Sequence, residues 1–202
     1  MKLYLSSFRI GHERGVLRDL VGHAGRAALV FNACDVFGDN RLRRWDAETQ
    51  DLQTLGFECE ELDLRSCFED FEGLQRRVNS LDLLWVVGGN SFVLAKAMTK
   101  AHFTEATSEP LSEGRLVYAG YSAVSCVAGP DLEGIDLMDD SEALPDGYLD
   151  DLNPTTLGWV PWRIVPHWRS QHPESSSAEL AAAHLRKAKL DFKALRDGSA
   201  ES

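Results

Sequence analysis

The chain alternates short apolar runs with longer segments whose apolar residues recur at helical spacing. Leu3-Tyr4-Leu5 reads as a first strand. Ala27-Ala28-Leu29-Val30-Phe31 is apolar throughout, as expected of a strand covered on both faces. Glu60-Glu61-Leu62-Asp63-Leu64 is a weaker strand, and Leu83-Leu84-Trp85-Val86-Val87 is the strongest one. Arg115-Leu116-Val117-Tyr118-Ala119 and Trp162-Arg163-Ile164-Val165 complete the set. Between these runs, residues 13–21, 40–55 and 68–79 suit helices, the last with Phe68, Phe71, Leu74 and Val78 at helical spacing. Phe92, Leu94, Ala95 and Met98 mark another helix, and 175–190 is Ala-rich and helical. Residues 131–158 are acidic, poorly periodic and punctuated by Gly and Pro, which predicts a long loop or small excursion. This alternation implies βαβ units, a mainly parallel sheet and helices on both faces, a three-layer α/β arrangement. Residues 1–202 read as a single domain.

Hydrophobic residues make up 44% and charged residues 26%, which excludes a disordered or fibrous chain. Asp and Glu outnumber Lys and Arg by 32 to 21, a formal net charge of −11. Nucleic acid and anionic membranes reward clusters of Lys and Arg, so neither is expected as a partner. No run approaches the ~20 apolar residues of a membrane span. The N-terminal apolar run is broken by Arg9 and is too short for a signal peptide. Cys34, Cys59, Cys67 and Cys126 are 25, 8 and 59 residues apart, with no C-x-x-C pair. That spacing argues against a zinc ribbon and for reduced thiols in a cytoplasmic protein.

In open parallel sheets, ligands sit beyond the carboxyl ends of the strands. Two segments fall there. In Tyr118-Ala119-Gly120-Tyr121-Ser122-Ala123-Val124-Ser125-Cys126, a buried strand enters Gly120 and a small-residue helix leaves after Ser122. This is the setting of a nucleophile elbow, with a helix N-terminus behind the hydroxyl to favour developing negative charge. The alternative is a serine that caps an ordinary helix. In Gly88-Gly89-Asn90-Ser91, paired glycines let backbone N–H groups approach a bound oxyanion. The alternative there is a tight turn capped by Asn90 or Ser91, and no Gly-Lys-Ser/Thr follows to make a P-loop.

A serine nucleophile needs a base. His12, His23, His102 and His184 lie in helical or polar contexts that suit solvated side chains. His167, in Ile164-Val165-Pro166-His167-Trp168, stands just past a short strand, where a packed or exposed loop histidine is the alternative to a base. His167 and His172 are five residues apart without a supporting Glu/Asp/Cys constellation, so no metal site is expected. An imidazole base also needs a carboxylate to fix its tautomer. Asp197, before the turn residue of Leu195-Arg196-Asp197-Gly198, is a candidate among the 32 acidic residues.

The segments Val86-Val87-Gly88-Gly89-Asn90-Ser91-Phe92, Ala119-Gly120-Tyr121-Ser122-Ala123, Pro166-His167 and Leu195-Arg196-Asp197-Gly198 stand in the order found in the aspartyl dipeptidase (peptidase E) family of serine peptidases. The chain resembles that family, to which cyanophycinases are related, from its first strand to Asp197. The resemblance implies a flavodoxin-like α/β fold akin to class I glutamine amidotransferase domains. It implies Ser122 as nucleophile, His167 as general base and Asp197 as the acid. It also implies Gly89 and Ala123 as oxyanion donors, Gly88 as the residue shaping their turn, and no cofactor. Gly88, Asn90 and Arg169 are the expected substrate-binding residues.

Three departures bear on this expectation. Val124 replaces the small glycine of the family's G-x-S-A-G and is expected to crowd the elbow or narrow the site. The family's arginine for an aspartyl carboxylate is missing from Pro173–Glu179, with Arg169 the nearest substitute, which puts preference for N-terminal Asp in doubt. The chain ends five residues after Asp197, which leaves the acid loosely held or supported by a partner subunit in a homodimer. The expected activity is cofactor-free hydrolysis of a small peptide through a Ser-His-Asp triad and an acyl-enzyme. The alternatives are an impaired member serving as a small-ligand or protein-binding module and, ranked last, an ester hydrolase.

Overall fold

Side chains alternate faces along a strand, so parity decides which layer each residue joins. A computed structural model describes residues 1–148 and 153–202. Its elements begin with β1 (Lys2–Ser6), α1 (Arg14–Val21), β2 (Arg26–Val30), α2 (Trp45–Gln53), β3 (Glu58–Glu61), α3 (Phe71–Val78) and β4 (Leu83–Val86). They continue with α4 (Ser91–Lys100), α5 (Phe103–Ser112), β5 (Val117–Tyr121), α6 (Ala123–Val127), β6 (Arg163–Val165), α7 (Ser175–Ala188), β7 (Phe192–Ala194) and β8 (Ala200–Glu201). Leu83 and Trp85 join Ala27, Leu29, Leu17 and Leu52 in the core under α1 and α2. Leu84 and Val86 turn the other way, to Leu74, Val93, Leu94 and Phe103 under α3, α4 and α5. The structure is thus a three-layer α/β sandwich, as the alternation predicts.

The main sheet has the order β3-β2-β4-β5-β1-β8. All its neighbouring pairs are parallel except β1 with β8. Connections leave β2 in one direction to β3 and β4 in the other to β5, so the order reverses between β2 and β4. A crevice opens beyond the strand ends at such a reversal. Gly88 follows Val87, the residue directly after β4, and Ser122 directly follows β5, which places both at this rim. The edge strand β3 carries Glu58, Glu60 and Glu61, charges that deter pairing with another chain and that weaken its signal in the sequence.

The short strand expected at 162–165 forms as β6 but does not enter the main sheet. It pairs in parallel with β7 as a separate two-stranded sheet, with α7 as its crossover. Val165, Ala178, Ala181, Ala182 and Leu185 form a small core of their own there. The helix α5 carries no clear sequence signal, because its buried stripe mixes Phe103, Ala106 and Leu111 with Thr107 and Pro110. Within 131–158 the described residues hold one 3₁₀ turn, Ile135–Leu137, and the rest of that excursion includes residues outside the described ones. Among the described residues no helix is long and apolar enough to cross a membrane, and all four cysteines are free.

Leu29 is fully buried in the centre of the α1/α2 layer. Leu29→Ala is expected to destabilise the fold by roughly 2–5 kcal/mol. Urea denaturation should show a lower midpoint with an unchanged slope.

Candidate active site

The end of β5 delivers Ser122 in a strained conformation, φ 55° and ψ −112°. A non-glycine residue in that region costs about 1–3 kcal/mol, so surrounding bonds must hold it. The Ser6 carbonyl at the end of β1 does so twice. It accepts the Ser122 amide at 3.1 Å and the Ser125 hydroxyl at 2.8 Å. The Ser122 side chain makes no capping bond to α6. Its Oγ lies instead 3.1 Å from Nε2 of His167.

Val124 does not narrow this elbow. It is fully buried in the core beneath the turn, and its methyl groups occupy space that a side chain on Gly120 would need. Gly120 is the motif's own first glycine, and the extra volume at 124 is taken up by the core, on the side away from the cavity.

His167 follows β6, also at positive φ (61°), with its side chain 1% exposed. Nδ1 lies 2.8 Å from Asp197 Oδ1. The carboxylate accepts only, so the neutral ring carries its proton on Nδ1 and turns the Nε2 lone pair to Ser122. Burial is the main reason that the His167 imidazole is held down at about 4, with His172 adding to the effect and Asp197 opposing it. The free-base form needed to accept a proton therefore persists through the neutral range.

Ser7, at the end of β1, was not among the sequence candidates, yet it fixes both partners. Its Oγ accepts the His167 amide at 2.8 Å and donates to Asp197 Oδ1 at 2.8 Å. The Asp197 amide in turn donates to Ser170 Oγ at 2.8 Å. The next residue, Gly198, has φ 99°, and a Cβ there would collide with the His12 ring, which explains a glycine directly after the acid. Beyond it, β8 returns to pair with β1 at Leu5 and Ser6. Asp197 is thus tied down on both sides within this chain, against the expectation of a loose acid.

Ser122 and His167 open onto a cavity of about 250 Å³, lined also by Gly88, Gly89, Asn90, Tyr121 and Glu174. The buried Cys34 thiol donates to the Gly88 carbonyl at 3.2 Å. In a trans peptide the N–H points opposite to the C=O, so the Gly89 N–H is turned away from Cys34. Among the described residues Gly88 and Gly89 donate to no backbone carbonyl, while their neighbours Val87 and Asn90 donate to Val30 and Ala33. Ala123 opens α6, so its amide is one of the first-turn donors without a helical partner. The five-residue α6 has little dipole of its own, and these individual N–H groups matter more.

The remaining sequence candidates divide. Asn90 borders the cavity, but its side-chain Oδ1 caps α4 by accepting the Phe92 and Val93 amides and its Nδ2 donates to the Asp140 carbonyl at 2.8 Å. Arg169 lines a neighbouring cavity with Asp197 and Arg196, and its guanidinium lies 4.6 Å from the Trp168 ring centre. The arginines that do line the Ser122 cavity are Arg43 and Arg44, and Arg44 donates to the Tyr121 hydroxyl at 3.3 Å. The signal that could have found them is Arg41-Leu42-Arg43-Arg44, a basic cluster in an acidic chain. Glu174 was also missed. Its Oε2 lies 3.7 Å from His167 Nε2, and burial with Asp139 nearby pushes its carboxyl up. His12, His23, His102 and His184 are exposed, as expected.

The spacing of His167 and His172 suggested no third ligand, but the fold supplies one. Ligand atoms of His167, His172 and Glu174 lie within 4.8 Å of one another. The two imidazoles are stacked, however, with planes 8° apart. Ring nitrogens bind metals in the ring plane, so lone pairs on parallel rings run side by side instead of meeting at one ion.

Two outcomes follow from this geometry. The His167 ring should remain neutral as pH falls through 6.5 and become half protonated near 4, because its folded form titrates below the ordinary histidine value. NMR titration of the imidazole would check this, and a midpoint near 6.5 would contradict it. Val124→Gly should lower stability by roughly 2–4 kcal/mol, through a lost core side chain and a helical glycine, and leave the cavity's dimensions as they are. Thermal melting and a crystal structure of the variant would show it.

Residues 17–200 match the family model of Peptidase family S51. An uncharacterized peptidase of Listeria monocytogenes is 26% identical over 125 residues, covering 62% of this chain and 58% of the relative. Peptidase E of Streptomyces coelicolor is 33% identical over 115 residues, covering 57% and 43%. The matched stretch therefore spans about half the length of these relatives. A crystal structure of a protein provisionally assigned as peptidase E from Listeria monocytogenes superposes with TM-score 0.79 at 20% identity, over 99% of this chain and 93% of that one. The crystal structure of a peptidase from an acI-B1 actinobacterium gives 0.69 at 18% identity, over 96% and 80%. At such identities the two structures speak for the fold alone. The family model covers nearly the whole chain, including every segment that brings a group to the Ser122 cavity apart from the first strand and its loop, and the chain belongs to Peptidase family S51.

Proposed function

We propose that this chain is a serine peptidase that hydrolyses small peptides through an acyl-enzyme on Ser122. The observation that carries the reading is the continuous chain Ser122 Oγ, His167 Nε2, His167 Nδ1, Asp197 Oδ1, with separations of 3.1 and 2.8 Å. The Ser122 hydroxyl attacks the scissile carbonyl while His167 Nε2 accepts its proton. Asp197 holds the tautomer and stabilises the imidazolium that forms. The Gly89 and Ala123 N–H groups receive the oxyanion, a donor of this kind being worth about 3–4 kcal/mol. His167 then protonates the leaving amine, and a water activated by the same nitrogen releases the acyl group.

The Ser122 cavity of about 250 Å³ shares Val36, Asn90 and Asp140 with a neighbour of about 840 Å³, which leaves room for a short peptide. Its walls carry both signs of charge, Arg43 and Arg44 against Asp139, Asp140 and Glu174. A dipolar peptide with two charged ends suits such walls better than the apolar acyl chain of a simple ester. The binding-module alternative drew on Val124 and the short C-terminus. Val124 is absorbed by the core and Asp197 is held by Ser7 and Ser170, which favours the catalytic reading.

A fluorophosphonate probe should label the wild type at Ser122, spare Ser122→Ala, and react about 100-fold or more slowly with His167→Ala. Persistent labelling of Ser122→Ala would refute the assignment.

A further inference from the structure

The His172 ring is stacked face to face on His167, with centroids 3.7 Å apart and planes 8° from parallel. Phe8 presents itself to both rings, at 6.0 Å from His167 and 5.4 Å from His172. His172 is itself anchored. Its Nδ1 accepts the Glu174 amide at 3.2 Å, and its carbonyl accepts the Ser175 amide at 3.0 Å. The same turn is closed by Ser175 Oγ, which accepts the Ser170 amide at 3.1 Å.

We infer that His172 is a positioning residue for the general base, its flat ring fixing the plane of the His167 imidazole so that Nδ1 and Nε2 stay aimed at Asp197 and Ser122. The inference rests on the triad reading above. Each bond of the base lies in its ring plane, so a rotation about the Cβ–Cγ bond would loosen the contacts to Asp197 and Ser122 together. Asp197 and Ser122 grip the ring only at its two nitrogens, on its edge. A flat neighbour on the face of the ring resists the rotation that these edge contacts permit. Small misplacements of a catalytic group are costly, with a 1 Å error worth up to about 100-fold.

The stack also constrains charge. His167 becomes an imidazolium during attack, and a second cation on its face would oppose this. An Nδ1 that accepts an amide proton carries none of its own, so the observed contact requires His172 to be neutral. The charged groups facing the pair are Asp197, Glu174 and Arg44. Burial, with Arg44 adding to it and Asp197 opposing, holds the His172 imidazole below its ordinary value. What the base needs from His172 is thus a neutral flat surface, which phenylalanine also supplies.

The experiment follows the kinetics of fluorophosphonate labelling at Ser122 in the wild type and in His172→Ala, His172→Leu and His172→Phe, with thermal melting of each. The Ala and Leu variants should lose about tenfold or more in the maximal labelling rate, with the half-saturating probe concentration within about twofold of wild type. His172→Phe should recover to within about threefold. Leu fills the volume without a flat face, so it separates stacking from simple packing even if Ala melts early. Wild-type rates in the Ala and Leu variants would overturn the inference, as would a Phe variant as slow as Ala. A loss confined to half-saturation would also overturn it, by making His172 a binding contact. A wild type that fails to label overturns the triad reading and this inference together, whereas labelling that ignores every change at 172 sinks this inference alone.

Discussion

The Ser7 hydroxyl accepts the His167 amide and donates to the Asp197 carboxylate, and its own amide donates to the Ser199 carbonyl at 3.1 Å. A residue at the end of β1 thereby sets the mutual position of a loop after β6 and a turn before β8. The preceding residue does the same for the nucleophile, because the Ser6 carbonyl clamps Ser122 and Ser125. The site depends on this one dipeptide more than on any element that carries a reacting group. Each member of the Ser-His-Asp chain lies on a different segment, and the Ser6-Ser7 pair bonds to all three.

The electrostatics work in the same direction. Burying an imidazole favours its neutral form, and a carboxylate alongside favours the charged one. At His167 burial prevails, with a second imidazole on its face helping and Asp197 opposing. The resting ring is neutral and fixed as one tautomer, the state from which a proton is accepted. The strain at Ser122 and the positive φ at His167 are sustained by backbone bonds from neighbouring segments, as local strain at functional sites requires.

Much of this was legible in the sequence. Continuous apolar runs mark β2, β4 and β5 because both of their faces are covered, and parity within Leu83–Val86 sorts residues between the two layers. Ser122 and Gly88-Gly89 were found because they follow strong strands, where a parallel sheet gathers ligands. His167 past a short strand and Asp197 before a turn residue are candidates on position alone, and the order of the family's motifs singles them out. What stayed hidden has physical reasons. Ser7 is one of many serines, and its role comes from contacts with residues 160 and 190 positions away. His172 and Glu174 depend on a loop that folds back on the base, which no periodicity encodes. Arg43 and Arg44 lie at the far end of the long connection from β2 to α2, where no strand or motif marks them. The concern over Val124 came from reading the elbow as a string. In three dimensions the Val124 side chain turns into the core, and the substitution falls on the side away from the cavity.

The base follows β6 of the small β6–α7–β7 unit and the acid lies on the turn from β7 to β8, while the nucleophile sits on the large sheet. Reactivity is therefore a property of the seam between two sheets. Such units open and close with their own free energies, often well below that of global unfolding. A fluctuation that breaks the Ser7 bonds to His167 and Asp197 separates imidazole from alcohol while the large sheet stays paired. Loss of chemistry on warming would then precede loss of secondary structure, and the serine would act as an internal gauge of whether the seam is shut.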